Sequence, residues 1–502
     1  MSLHAQLPPE TLAKLQAQRR LSSLSSVIIA FLSILLVALI LGAYLLPGLI
    51  VVTPGFTYST ITRPDEPPLR PNSLNPSLRP KPSSPAAQQS RVLVSASVPN
   101  LSIPVTVADI TIPSVDFGTG DDFGLGGNGD GPGGPGGPRT TLPFDLTKRC
   151  ARADRMNRLA ETGGTAACDD AVVKGLRWLK ATQKSDGSWC DQNSAAMTGL
   201  ALLAYLGHCE TPASIEYGDS CLRAITYLVD LGLKNNGKLA TLPNERHWPY
   251  EHAIATYALA EATTFCRTSK PAMNIPKLME ITQQAGQFII NNQNASGGWD
   301  YSYQEDGARG GDVSITAWQL QALKACKHTQ LDFRNLDRCS RRALDYIAKM
   351  QHPSGGIGYS NPSSPASATD YFTLTGAGVL CLQLWDKGSS ATARNGLHYI
   401  SKNTRFDSAT RFADLYGHYY EAQAMMNRGG EAWSEYNALF RDQLLNNQNP
   451  DGTWKNPGDG GPLRATAPSY QGSSPMAIHY RTSLNILMLE VYYRFLPGTG
   501  GK

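Results

Sequence analysis

The apolar residues of the chain follow two kinds of pattern. Residues 27–46 form a run of 20 residues without a charged side chain. A helix of that length spans about 30 Å, the thickness of a bilayer core. From residue 168 onward the apolar residues recur instead at helical spacing, in segments such as 172–179 and 195–206. The pattern predicts one membrane-spanning helix followed by an all-helical domain.

A seven-residue motif repeats between the helical segments. The sequence Q-x-x-x-G-x-W occurs at residues 183–189, 293–299 and 448–454, and residues 351–357 keep the Gln and Gly but have Ile in place of Trp. An apolar helical segment precedes each copy, and most copies are followed by another, so the unit is a helix, a glycine turn and a helix. Repeats of this length indicate an array in which each unit buries its apolar face against the next.

Two further pairs of helical segments lack the motif, which gives six predicted helix hairpins. They span residues 168–208, 218–266, 276–327, 338–386, 389–428 and 432–496. The second helices share a threonine followed by an apolar run, with tyrosine in its place once: Thr198, Thr256, Thr316, Thr375, Tyr420 and Thr482. This shared register predicts that the second helices present equivalent faces.

The repeated motif resembles the QW motif of squalene-hopene and oxidosqualene cyclases. Six outer–inner helix pairs are similar to the α/α toroid that those enzymes share with the β subunits of protein prenyltransferases. The resemblance covers about residues 165–497 and implies an all-α fold, an (α/α)6 toroid. In that family the Gln and Trp tie the end of an outer helix to its neighbour, so the motif favours the fold more than any reaction.

Ahead of the toroid the chain is predicted to have three further parts. Residues 1–26 form a polar N-terminus, residues 27–52 the membrane helix, and residues 53–140 a Pro/Gly-rich linker, followed by the toroid domain at 141–502. The apolar run is longer than the ~7–15 residues of a signal-peptide core, which favours an uncleaved anchor.

The basic residues before the span predict its orientation. Lys14, Arg19 and Arg20 precede it, which favours a cytoplasmic N-terminus and an extracytoplasmic (periplasmic) toroid in a single-pass protein of the cell membrane. Within the linker, residues 105–112 are β-prone and could add a strand to the sheet of a protein partner, or could be a β-prone piece of linker.

Net charge and cysteine content limit the classes of binding partner and the cellular compartment that the sequence predicts. A formal net charge of +4 over 502 residues, without a basic run, gives no electrostatic case for nucleic acid. The nine cysteines include Cys209 with Cys221 and Cys326 with Cys339, which recur in equivalent positions between hairpins. Both pairs are predicted to form disulfides, as the oxidising compartment allows.

The catalytic acid of the cyclases is only partly represented. In that family an Asp-x-Asp-Asp-Thr-Ala box protonates an alkene through its middle Asp. The counterpart here is Asp312-Val-Ser-Ile-Thr-Ala, in which only the first Asp remains. Asp312 is therefore the candidate catalytic position, and its alternative role is that of an acidic residue favoured at a helix N-terminus.

The prenyltransferase resemblance suggests a zinc site. In those enzymes an Asp, a Cys and a His near the tops of neighbouring inner helices bind zinc. Aligning residues 420–424 with the family pattern places His418 at the Cys position and His479 near the His, although Tyr416 stands at the Asp position. Asp414 lies four residues before His418 and could complete the zinc site. The alternative is that these are polar helix-end residues facing a wet cavity.

An inward-facing threonine register would line a cavity. The predicted wall consists of Thr198, His252, Thr256, Thr316, Trp318, Tyr371, Thr375, Tyr420 and Tyr480. Such a wall suits an elongated apolar ligand with a polar end, and the alternative is that the same residues pack a narrow core. The sequence thus leaves open two functions: a toroid that binds an isoprenoid-like or lipid ligand or a protein partner, and an enzyme, with or without zinc, that acts on an isoprenoid or lipid substrate. Polysaccharide hydrolysis would need two facing carboxylates, and no pair is evident.

Overall fold

A computed structural model describes residues 149–269, 272–303, 310–367, 369–464 and 469–494. Regular structure in these ranges is helical, apart from two isolated β-bridges, Gln351 with Ile357 and Gln448 with Trp454. Over the same ranges no helix has the length and apolar character needed to span a membrane. The predicted N-terminus, membrane helix and linker lie outside the described residues.

The described ranges contain fourteen α-helices. In chain order they are α1 Arg152–Glu161, α2 Ala166–Thr182, α3 Ser194–Gly207, α4 Gly218–Lys234, α5 Trp248–Thr268, α6 Leu278–Asn291, α7 Val313–His328, α8 Leu336–Lys349, α9 Thr375–Leu384, α10 Ala391–Asn403, α11 Leu415–Arg428, α12 Gly430–Asn446, α13 Pro475–Leu489 and α14 Val491–Arg494. Helices α2 to α13 form six consecutive pairs, which confirms the six predicted hairpins. Helix α1 precedes the hairpins and was not predicted, and the short α14 lies at the end of the sixth predicted hairpin, 432–496.

The two helices of a hairpin differ in burial. Every residue of α3 is buried, whereas α8 buries Cys339, Ser340, Ala343 and the other residues of one face only. An apolar stripe on one side of a helix is typical of a surface position, and burial all round is typical of a position inside the domain. The first helix of each pair is therefore outer and the second inner.

The six inner helices form a closed ring. Helix α3 packs on α5, α5 on α7, α7 on α9, α9 on α11, α11 on α13, and α13 returns to α3. The outer helices α12 and α2 are also in contact, although they belong to the last and first hairpins. The prediction of an all-α toroid is confirmed for the described residues.

The motif glutamines join neighbouring outer helices. Gln183 Nε2 donates to the carbonyl of Gly187, 2.9 Å away in its own turn, and to that of Ser220 in α4 at 3.0 Å. Gln293 and Gln351 make the same pair of hydrogen bonds, reaching α8 and α10. Gln448 donates to Ala171 O in α2 at 2.8 Å, so the same contact closes the ring.

The motif tryptophans and glycines shape the turn. The indole N–H groups of Trp189, Trp299 and Trp454 each donate to a carbonyl near the end of the preceding outer helix, at 2.8–2.9 Å. Such carbonyls have no partner inside the helix, so the indole serves as a C-terminal cap. At Gly297 the φ angle is +99°, and an added Cβ would lie 2.3 Å from Arg342 O. Only glycine fits that position without strain.

The disulfide prediction is wrong. Cys209 is bonded to Cys150, 59 residues earlier, and Cys221, Cys326 and Cys339 are free and buried. The cause is the segment ahead of α1, which packs against the C-terminal end of α3: Arg149 donates to Leu206 O at 3.2 Å. Cys150 thereby reaches Cys209, which lies just after α3.

Candidate ligand-binding recess at the N-terminal ends of the inner helices

The threonine register faces the motif turns and not the ring centre. The hydroxyl oxygen of Thr198 accepts the backbone N–H of Trp189 at 3.2 Å, Thr316 accepts that of Trp299 at 3.1 Å, and Thr375 accepts that of Ile357 at 3.0 Å. These N–H groups are buried in the turn and would otherwise lack a partner, which is costly. All three residues are fully buried, and their predicted role in lining a cavity stays a prediction.

In the second hairpin a histidine takes the place of the threonine. His252 Nδ1 accepts the backbone N–H of Leu239 at 2.9 Å, and Nε2 lies 3.2 Å from Ala285 O in the outer helix α6. Burial lowers the pKa of His252 to about 3, so the ring is neutral. Thr256, one turn later, donates to His252 O. Both residues are part of the packing between helices.

Side chains from helices that are not neighbours in the ring meet inside it. Helix α9 separates α7 from α11 around the ring, yet Ser314 Oγ lies 2.6 Å from Tyr416 Oη, and Trp318 Nε1 donates to the same hydroxyl at 3.1 Å. Trp318 also stacks on Tyr419, with centroids 5.5 Å apart, and meets Tyr420 edge-on at 5.8 Å. Of the predicted wall residues, Trp318 and Tyr420 are thus brought together at the ring centre.

Partly exposed tyrosines surround this centre at the N-terminal ends of the inner helices. The set is Tyr250, Tyr301, Tyr359, Tyr416 and Tyr480. Tyr250 Oη lies 3.1 Å from Ser314 Oγ, and the hydroxyls of Tyr301 and Tyr359 are 2.5 Å apart. Of these, only Tyr480 was predicted. The aromatic residues at inner-helix starts were the available signal for Tyr250 and Tyr416.

These phenols are enclosed by protein and remain partly exposed. Burial raises the pKa of Tyr416 to about 12 and that of Tyr250 well above its usual value, although solvent still reaches both side chains. Side chains that are surrounded by protein but remain accessible lie in concave surfaces. We refer to this concavity, defined by the five tyrosines with Ser314 and Trp318, as the tyrosine recess.

The opposite end of the ring is occupied by buried charges. Glu261 lies 2.6 Å from an Arg149 nitrogen and 2.9 Å from one of Arg494, and all three side chains are buried. Glu490 lies 3.6 Å from Arg494 there, and burial raises its pKa to about 8. The ion pairs hold the ends of α5 and α14 and the segment before α1 together.

Asp312 serves as a helix cap. Its carboxylate accepts the backbone N–H of Ile315 at 3.0 Å at the start of α7, and the residue is fully buried. An N-terminal acidic residue is favoured by the free N–H groups and the helix dipole. The structural alternative given for Asp312 is observed, and its carboxylate is already engaged by the backbone.

The structure does not bring Asp414, His418 and His479 together. His418 contacts Tyr436 Oη at 2.8 Å and Arg405 O at 3.2 Å, whereas His479 Nε2 lies 2.8 Å from Met197 O in α3. Over the described residues, no three His, Cys, Asp or Glu side chains form a group able to hold a metal. The cause is that both imidazoles point toward neighbouring helices and loops. Burial lowers their pKa values to about 3 and about 4.

Asp414 and Tyr371 belong to a buried polar cluster beside the ring. Asp414 caps α11 through the N–H of Gly417 and accepts a hydrogen bond from Tyr470. The Tyr371 hydroxyl donates to Glu421 in α11, whose other oxygen accepts from Thr404 at 3.0 Å. Burial raises the pKa of Glu421 to about 7. The sequence signal for this cluster was a glutamate, Glu421, in the middle of a predicted inner helix.

Comparison with known proteins gives remote structural matches. Neither a protein-family model nor a curated protein matches the chain. The apo type II terpene cyclase MstE from Scytonema aligns with a TM-score of 0.42 and 12% identity, over 65% of this chain and 98% of the cyclase. A variant of that cyclase in complex with geranylgeranyl dihydroxybenzoate aligns with a TM-score of 0.41 and 12% identity, over 68% and 100%. A protein from Actinoplanes aligns with a TM-score of 0.41 and 14% identity, over 65% and 100%.

Proposed function

We propose that the chain is a binding toroid whose tyrosine recess takes an elongated apolar ligand with a polar end, of the isoprenoid-like or lipid class. The observation that carries this proposal is the convergence of partly exposed aromatic side chains at one end of a closed ring, where the hydroxyls of Tyr250 and Tyr416 both contact Ser314. Ligand sites are concave and largely apolar, with a few placed polar groups. The tyrosines supply both, since each has an apolar ring and a polar hydroxyl.

The chemistry of the recess supports binding over proton transfer. A phenol whose pKa is raised to about 12, as at Tyr416, is a hydrogen-bond donor at neutral pH and a weak acid. The carboxylate closest in sequence to the recess-lining Ser314 is Asp312, which caps α7. Hydroxyls of this kind fit an alcohol, carbonyl or carboxylate at the end of an apolar chain.

A binding experiment tests this proposal with farnesol as the probe. Full-length protein is titrated with farnesol, and bound ligand is measured after lipid extraction by mass spectrometry. Ser314→Leu fills the recess and is expected to abolish uptake. Tyr250→Phe removes one hydroxyl and should weaken binding about fivefold, the equivalent of one hydrogen bond.

Tyr217→Phe is the matched control, because it removes a tyrosine hydroxyl at the start of the outer helix α4, outside the tyrosine recess. Folding of each variant is checked by its melting temperature. Equal farnesol uptake by wild type and Ser314→Leu, with both folded, would exclude the recess as the site.

We further propose that the toroid is held outside the cytoplasm by the N-terminal apolar run. The run at residues 27–46 and the basic residues before it support this placement. The Cys150–Cys209 disulfide adds support, because disulfides persist in oxidising compartments. An alkaline phosphatase fused after residue 140 should be active, and an inactive fusion beside an active cytoplasmic reporter would reverse the orientation.

A further inference from the structure

Three arginine side chains converge on one phenylalanine. The guanidinium carbons of Arg405, Arg411 and Arg464 lie over the Phe412 ring, 5.8, 5.3 and 5.5 Å from its centroid. Because a ring has two faces, at least two of the three cations share a face. Like charges gathered around one ring repel one another, and an anion bound among them would offset that repulsion.

These arginines form no ion pair in the described part of the chain. None of the three side chains forms an ion pair or donates a hydrogen bond there, and Arg464 Nε is buried without a partner. Arg464 is only 5% exposed, so the unused donor is not compensated by bulk water. A buried N–H donor without an acceptor is costly, and an anion that accepts a hydrogen bond from Arg464 Nε would remove that cost.

The acids nearby do not take this role. Asp407, in the same loop, accepts the backbone N–H of Ala409. Glu421 and Asp414 feel the charge of Arg464 but form no ion pair with it. The Glu421 carboxylate instead accepts hydrogen bonds from Tyr371 and Thr404, and that of Asp414 accepts from Gly417 and Tyr470.

The buried arginine is held in place before any anion arrives. Its guanidinium stacks on the Tyr371 ring, 3.4 Å from the centroid. Its backbone N–H donates to Arg411 O at 2.8 Å, which ties the two arginine-bearing segments together. Arg405 and Arg411 are exposed and can adjust to a ligand. One fixed cation with two adjustable ones is a suitable arrangement for a multiply charged oxyanion.

We propose that Arg405, Arg411 and Arg464, arranged around Phe412, form a binding site for a phosphate group. The group is either free inorganic phosphate or the phosphate of a small monoester. Guanidinium groups bind phosphate oxygens through paired N–H donors, which a tetrahedral dianion can accept from several sides at once. This site is separate from the tyrosine recess and does not depend on what that recess binds.

The test measures phosphate binding by the full-length protein. Inorganic phosphate and glycerol 3-phosphate are titrated separately by calorimetry, with sodium chloride at matched ionic strength as the blank. We expect saturable binding that weakens at least tenfold in the Arg405→Gln/Arg411→Gln double variant. The Arg338→Gln/Arg341→Gln double variant is the matched control, because it removes two exposed arginines of α8 and the same net charge.

The two ligands separate the two sources of the phosphate group. Binding of inorganic phosphate alone identifies a free-anion site, and binding of both identifies a site open to monoesters. Equal weakening in both double variants would mean that net charge alone attracts the anion, and the proposal would be wrong. Absence of binding beyond the chloride blank in folded wild-type protein would also overturn it.

Discussion

Some glycines have backbone φ angles that residues with a side chain rarely adopt. Gly297 has a φ of +99° and faces Arg342 O, whereas Gly472 has a φ of +103° and no atom within 4 Å of an added Cβ. Both Gly→Ala variants place a side chain in the left-handed region, which costs about 1–2 kcal/mol. Gly297→Ala adds a clash with backbone, so we expect its total cost to exceed that of Gly472→Ala by about 2 kcal/mol.

Urea unfolding of the two variants measures this difference. Equal losses in the free energy of unfolding would show that the turn relaxes around the added methyl group.

A second residue-scale prediction concerns Glu421. Burial raises its pKa to about 7 in the folded chain, against about 4.3 for an unperturbed glutamate. The folded state therefore binds the proton more tightly, and the associated stability is fully present below the unfolded pKa. This contribution to the free energy of unfolding decreases as the pH rises from the unfolded pKa through the folded pKa of about 7. The decrease is at most ~1.4 kcal/mol per pH unit.

The free energy of unfolding of Glu421→Gln should therefore fall less than that of wild type between these two pKa values. Exposed Glu435→Gln serves as the control. Parallel wild-type and Glu421→Gln curves would contradict the assignment.

Individual contacts were only partly predictable from the sequence. The capping role of Asp312 was foreseen, because an acid at the start of an apolar helical pattern has a local explanation. The zinc set was not supported, because the direction of an imidazole depends on groups far away in sequence, such as Met197 for His479. The tyrosine recess was found in part, through Tyr480 and Trp318.

At the scale of helices, a threonine hydroxyl joins the inner helix to the turn in three hairpins. Thr316→Val removes the acceptor of the buried Trp299 N–H and should lower the free energy of unfolding by about 1–3 kcal/mol. Thr256→Val is the control, because that hydroxyl only donates to a carbonyl in its own helix. We expect it to cost less than ~1 kcal/mol. Similar values for the two variants would show that the turn N–H is satisfied in another way.

Helix positions were predictable, whereas the orientation of the threonines was not. The apolar periodicity placed all six hairpins, because burial of one face or of all faces leaves a direct trace in the sequence. The threonines repeat with the hairpins, but periodicity does not reveal which N–H each one accepts. In the second hairpin the residue that accepts the turn N–H is His252. The threonine pattern predicted Thr256 for this position, which lies one helical turn later.

At the scale of the whole domain, the Cys150–Cys209 bond fixes the segment before α1 to the ring. It closes a loop with a sequence separation of 59 residues, which corresponds to about 4 kcal/mol in the chain-entropy description. Cys150→Ser should lower the melting temperature, and a reductant should have the same effect on wild type only. Cys190→Ser, at a partly exposed free thiol, is the control and should change little.

The pairing could not be read from the sequence because it depends on where the segment packs. Cys209 and Cys221 are close along the chain, but Arg149 brings Cys150 to the end of α3 through its contacts with Leu206 O and Glu261. The family resemblance implied a closed ring. The hydrogen bond from Gln448 to Ala171 O joins the last hairpin to the first.

The shared partner of Arg149 and Arg494 has a consequence for chain connectivity. Both guanidiniums contact Glu261, so the two ends of the described toroid lie side by side although they are hundreds of residues apart in sequence. Since the ring is closed by contacts that repeat around it, no hairpin has to be first. A circular permutant that joins residues 149 and 494 through a short linker, and begins instead at α8, should therefore fold to the same ring.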